Sequence, residues 1–197
     1  MINDTQNNLV IEKRKLPPGD FAIWIFIMAE LLVFAILFAT YAFTRAGDVE
    51  LFNASQLSLN QNFALINTLT LITSSYFVVR AVAAMREDKA KNCFNWLIAA
   101  IFMGLIFLVV KSIEYNHHYS EGINMRTNQF FMFYFALTFF HFMHVVMGMV
   151  ILGANAVKTR AGNYTSENHT GLETGASYWH MVDMVWLILF PLIYVMR

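Results

Sequence analysis

Charged side chains fall in clusters along this chain, and the runs between them are long, neutral and apolar. Between Asp20 and Arg45 only Glu30 is charged, residues 51–79, 92–110 and 127–157 carry no charge, and from Thr174 to Met196 only Asp183 intervenes. About 20 mainly apolar residues in a helix cross a hydrocarbon core of roughly 30 Å, and each run is long enough to do so. The pattern predicts five helices, near 21–44, 62–85, 93–115, 128–157 and 176–196. None of the runs alternates strictly between apolar and polar positions, which argues against barrel strands. The expected fold is an all-α bundle of five transmembrane helices spanning residues 21–197, behind a polar N-terminal segment of residues 1–20.

Punctuation and loop charge refine that outline. Pro17, Pro18 and Gly19 interrupt the chain, and Asp20 is placed to cap the first helix. No apolar stretch precedes the first span, which argues against a cleaved signal peptide. Lys13, Arg14, Lys15, Arg86, Lys89, Lys91, Lys158 and Arg160 gather at one end of the bundle, against Arg45, Lys111, Arg126 and Arg197 at the other. The excess of positive charge predicts a cytoplasmic N-terminus and an outside C-terminus. The longest loop, 158–175, holds two Asn-x-Thr matches at Asn163 and Asn168, on the predicted cytoplasmic side, where they read as chance. Pro191 predicts a kink in the last span.

Composition agrees with a membrane chain. Of 197 residues 58% are hydrophobic and 13% charged, whereas soluble domains carry about a quarter charged residues. Thirteen Lys and Arg balance thirteen Asp and Glu, so the chain has no basic field for nucleic acid. The single cysteine, Cys93, leaves no internal disulfide, cysteine zinc site or iron–sulfur cluster.

The polar groups inside the spans need partners or functions, since each ionisable one costs about 2.5–3.5 kcal/mol at a helix centre on insertion scales. Glu30 lies nine residues into the first span, about 14 Å deep at helical rise. It reads either as part of a proton, lipid or gas pathway or as a carboxyl paired with a neighbouring helix. His141 and His144 share a face of the fourth span, and His180 and Asp183 share one of the fifth, between Trp179 and Trp186. His144 and His180 differ in predicted depth by roughly 9 Å, which disfavours a shared metal or haem site. Interhelical hydrogen bonds are the expected role, with His180 and Asp183 supporting each other. Lys111 and Glu114 are expected to form an interfacial ion pair at the outer end of the third span, with His117 and His118 in the loop beyond it. The Met- and Phe-rich stretch 139–149 reads as packing.

The run from Glu173 to Trp186, ETGASYWHMVDMVW, resembles the final helix of haem–copper oxidase subunit III. Met28-Ala29-Glu30, Glu114-Tyr115 and the segment FHFMHVVMG at 140–148 resemble further parts of that family in the same order, so the resemblance extends from about residue 19 onward. It implies a subunit with no haem or metal of its own, packed beside a catalytic subunit that carries haem with copper or non-haem iron. Bound phospholipid and a role in sustaining turnover are also implied. The family's membrane carboxylate, proposed to line a lipid- or oxygen-access cleft, matches Glu30. Its polar positions near the last helices match His141, His144, Glu173, His180 and Asp183. Seven-span members carry two helices before the five seen here, and their lipid cleft lies between the two groups. Five-span forms occur in quinol oxidases and in E-type proteins associated with nitric oxide reductase, and the ending WLILFPLIYVMR is more like the latter branch.

The resemblance therefore leads to an accessory subunit of a bacterial haem–copper complex in the cytoplasmic membrane. A nitric oxide reductase or terminal oxidase is the expected partner, and a cytochrome c or quinol oxidase proper the alternative. More distant rivals are a stand-alone proton-coupled transporter built on Glu30 and a b-type haem protein using His144 and His180.

Overall fold

The computed structural model describes residues 20–196. The N-terminal charge cluster Lys13, Arg14 and Lys15, the Pro17-Pro18-Gly19 break and the terminal Arg197 lie outside the described residues. The elements run α1 (Phe21–Gly47), α2 (Val49–Gln56), α3 (Gln61–Arg86), α4 (Ala90–Ser120), α5 (Gln129–Arg160) and α6 (Thr170–Phe190), closing on a π-helical turn, Pro191–Val195. Five of these helices are long and apolar enough to cross a membrane, and there is no strand among the described residues.

Caps set the starts. Asp20 accepts the Ala22 amide at 3.2 Å, Asn60 accepts that of Asn62 at 3.0 Å and Asn128 that of Phe131 at 2.9 Å, satisfying N–H groups that the first turn leaves free. The helix ends depart from the predicted ones because polar residues continue the helix beyond each apolar run. Helix α4 extends to Ser120, so His117 and His118 are helical and do not lie in a loop. Helix α6 begins at Thr170, six residues before the predicted start, which brings Glu173 into its first turn. The short helix α2 was not anticipated. Asp48 ends α1 and caps α2 through its side chain, accepting the Leu51 amide at 3.2 Å.

Helices α3 to α6 form the packed body of the bundle. The core is aromatic: Phe107, Tyr134, Tyr178, Trp179, Trp186 and Tyr194 are all at most 1% exposed. Trp179 occupies space that two glycines provide, since a Cβ on Gly104 would stand 2.9 Å from its ring and one on Gly148 2.8 Å. These small residues let the indole wedge between α4 and α5. Helix α1 is held more thinly. Its buried residues Ile27, Phe34 and Tyr41 recur every seven positions, and Glu30 falls on the same seam, whereas Phe21, Met28, Leu32 and Phe43 face outward.

At Pro191 the chain departs from α-geometry into the π turn instead of a simple kink, with the Met196 amide bonded to the Pro191 carbonyl at 2.9 Å. Three elements tie down this turn. Tyr41 donates to the Leu192 carbonyl at 3.3 Å, Gln56 to that of Ile193 at 2.8 Å and Gln61 to that of Tyr194 at 2.9 Å. Carbonyls at a helix C-terminus would otherwise lack partners, so α1, α2 and α3 together anchor the C-terminal end.

Candidate functional site

The seam of α1 delivers Glu30 against α5. Its Oε2 lies 3.0 Å from His144 Nε2, and His144 Nδ1 contacts its own helix at the Phe140 carbonyl, 2.8 Å away. Phe34 and Phe140 pack their rings 5.2 and 4.7 Å from the imidazole, fixing its orientation. The first-span carboxyl is therefore paired across helices. His141, one turn away, is not: it is fully buried, and neither ring nitrogen has a hydrogen-bond partner. Its ring lies tilted against Trp186 with centroids 5.1 Å apart and meets the edge of Phe107 at 5.7 Å. The expectation of an interhelical hydrogen bond is thus met by His144 and not by His141.

Lys111 and Glu114 do not form an interfacial pair. Their side chains are 0% and 1% exposed, 3.0 Å apart. Lys111 Nζ also donates to Tyr134 at 3.2 Å and to Tyr194 at 2.6 Å, and both tyrosine hydroxyls donate to Glu114 Oε1 at 2.7 Å. All three ammonium protons have acceptors, and four aromatic rings lie within 5.7 Å of Nζ. This closed, charge-balanced network braces α4, α5 and the π turn. Tyr134 and Tyr194 escaped sequence reasoning; the only available signal was two aromatics with polar tips at the same end of the bundle as Lys111.

Nor do His180 and Asp183 support each other directly. Ser75 of α3 stands between them, its Oγ 2.7 Å from His180 Nδ1 and its hydroxyl against the Asp183 carboxyl. Ser75 was also missed, since serine in an apolar span gives no distinctive pattern. Glu173 pairs with Arg86 at 2.8 Å and lies 3.3 Å from His169. Trp179 is buried with its indole nitrogen unpartnered, which places it in the packing of the core. Among the described residues no group of three His, Cys, Asp or Glu side chains is arranged to hold a metal ion.

Beyond the spans, the α3–α4 turn is strapped to the α5–α6 loop. Asp88 accepts both the hydroxyl and the amide of Ser166 at 2.7 Å, and these donors hold its carboxyl below the usual carboxylate range.

The sequence-chosen positions therefore do not converge on one centre. They form separate polar contacts at helix seams, which assemble and space the bundle. Comparison with known proteins agrees with such a part. Residues 19–197 match the family described as cytochrome c oxidase subunit III. A cytochrome c oxidase subunit 3 from Thermostichus vulcanus is 34% identical, the match covering 87% of this chain and 84% of the relative. A cytochrome bo(3) ubiquinol oxidase subunit 3 from Buchnera aphidicola is 26% identical over 98% of this chain and 91% of its own. A probable quinol oxidase subunit 3 from Staphylococcus saprophyticus is 28% identical over 89% and 88%. All three are oxidase subunits, and none of them supports the nitric oxide reductase branch or a transporter. This multi-pass membrane chain belongs to the cytochrome c oxidase subunit III family, a non-catalytic subunit of haem–copper oxidase complexes.

Proposed function

We propose that this chain packs beside the haem- and copper-bearing catalytic subunit of an oxygen-reducing oxidase in a bacterial cytoplasmic membrane. Its N-terminus faces the cytoplasm, and residues 21–197 form the membrane domain. The chain holds the catalytic subunit in its working form, and the α1–α5 seam serves as a route for gas or lipid toward it. Haem and copper belong to the partner, and membrane phospholipid is a ligand of this chain.

The observation that carries this reading is the Glu30–His144 contact at the thinly packed α1 seam. A carboxyl near mid-membrane is costly, and here one histidine from a second helix holds it at a surface facing the surroundings of the bundle. The other candidates, Glu114, His141 and Trp179, are buried and serve the architecture of the bundle. Glu30→Gln in the assembled complex tests the reading. Haem content and spectra are expected to stay unchanged while activity decays sooner during continuous turnover. Loss of haem, or turnover that lasts as long as in the wild type, contradicts it.

A further inference from the structure

Where α3 turns into α4, the charged groups pair off and leave one arginine over. Arg86 bonds Glu173 at 2.8 Å, Lys89 bonds Glu87 at 2.6 Å and Asp88 holds Ser166. Arg80 is exposed and bonds no carboxylate among the described residues. Its guanidinium lies over the Trp96 ring at 5.6 Å, and Glu87 acts on it only through space. Phe77 backs the indole, with ring centroids 5.4 Å apart. Beside them an open pocket of about 430 Å³ is lined by Arg80, Asn92, Asn95, Trp96 and Ala99. The guanidinium, the two carboxamides and the indole can all donate hydrogen bonds, and no acidic group is on the lining. Lys91, also exposed, stands one turn before Asn95 and adds a second positive charge on that face of α4.

Depth and the surface below the pocket identify what fits it. Helix α3 has 26 residues, about 39 Å, and so overhangs a ~30 Å core by about 4–5 Å at each end. Arg80 is six residues before its end, about 9 Å along the axis, and is rooted roughly one turn inside the hydrocarbon boundary. A cation there needs an anion at headgroup level. From Asn95 a single helical stripe continues through Ile98, Phe102, Leu105 and Val109, which are 46–57% exposed, and residues 98–110 contain no polar side chain. A donor-rich cationic pocket at the boundary above an apolar stripe is complementary to an amphiphile with an anionic head. We propose that this pocket binds the phosphate of a membrane phospholipid, whose acyl chain lies along the α4 stripe. The guanidinium fork matches two phosphate oxygens, and Asn92 and Asn95 donate from α4. The proposal rests on the reading of phospholipid as a ligand of this chain. It places a site apart from the α1 seam, since α1 packs chiefly on α2, α5 and α6.

Photo-labelling of the assembled complex in bilayers tests the site. Phosphatidylglycerol and diacylglycerol carrying the same diazirine-bearing acyl chain are compared, and adducts are mapped by mass spectrometry. Adducts within 92–109 are expected to be several-fold more abundant with phosphatidylglycerol. Arg80→Gln is expected to remove that excess and Arg80→Lys to keep part of it, while labelling at 184–188 on α6 stays constant and reports an intact bundle. Equal labelling of 92–109 by the two lipids, or an excess that survives Arg80→Gln, overturns the site. Loss of the excess on adding inorganic phosphate overturns the lipid as its source and assigns the pocket to free phosphate. Headgroup-dependent adducts confined to α1 and α5 overturn this site but leave phospholipid as a ligand of the chain. No headgroup dependence on any helix removes both.

Discussion

Lys111 sets the most demanding balance at the scale of single residues. Its ammonium is fully buried and is compensated by Glu114 and by two tyrosine hydroxyls, so removing one charge leaves the other stranded in the core. Breaking such a pair from one side costs about 3–5 kcal/mol, whereas replacing both members with neutral groups of similar shape is far milder. Lys111→Met is therefore expected to lower thermal stability strongly, and the double variant Lys111→Met, Glu114→Gln to recover most of the loss. The buried sole cysteine, Cys93, provides the readout, because a thiol-reactive dye reaches it only on unfolding. A single variant as stable as the double would contradict the account. The spacing of Lys111 and Glu114 in the sequence told only that they share a helix face. It could not tell that this face points inward, because that depends on Tyr134 and Tyr194 arriving from elsewhere. Glu30 was more legible, since its depth demanded a partner, and the seven-residue recurrence of Ile27, Phe34 and Tyr41 marks the seam on which it sits.

At the scale of elements, the strap between the α3–α4 turn and the α5–α6 loop carries a pH dependence. Asp88 adopts a left-handed backbone conformation at φ +55° and fastens Ser166 with two hydrogen bonds. The Ser166 hydroxyl and then its amide hold the Asp88 carboxyl below the usual carboxylate range. The stabilisation is thus present above the unfolded-state carboxylate pKa and is lost as pH falls through the lower folded value. Protease cleavage within 161–169 is expected to rise as pH drops through that window and to lose its pH dependence in Asp88→Asn. Unchanged cleavage across the range would rule out the strap. The five spans were readable because neutral runs of that length leave few alternatives. The helix ends were not, because Asn116 to Ser120 and Thr170 to Gly175 are polar yet helical. Helix α2 is only eight residues long, and its start rests on the Asp48 side chain accepting the Leu51 amide.

On the scale of the whole molecule, the described polar contacts build a frame and do not gather into one reaction centre. Glu30 with His144, Lys111 with Glu114, and Ser75 with His180 and Asp183 occupy different helix seams. The resemblance carried by the segments around Glu30, Glu114, His141 and Trp186 extends over the chain from residue 19, where the family match begins. The resemblance of the C-terminal sequence to a nitric-oxide-reductase branch was a weaker guide. An apolar run such as LILFPLIYV reports burial in a membrane and says little about the gas a partner reduces.

The central claim, an accessory place beside a catalytic oxidase subunit, is tested most directly by recovering the tagged chain from native membranes in mild detergent. Partners are identified by mass spectrometry, and the optical spectrum is recorded on the same sample. The account predicts co-purification of a haem- and copper-bearing oxidase subunit, with haem bands in proportion to it. A colourless chain recovered alone would contradict it.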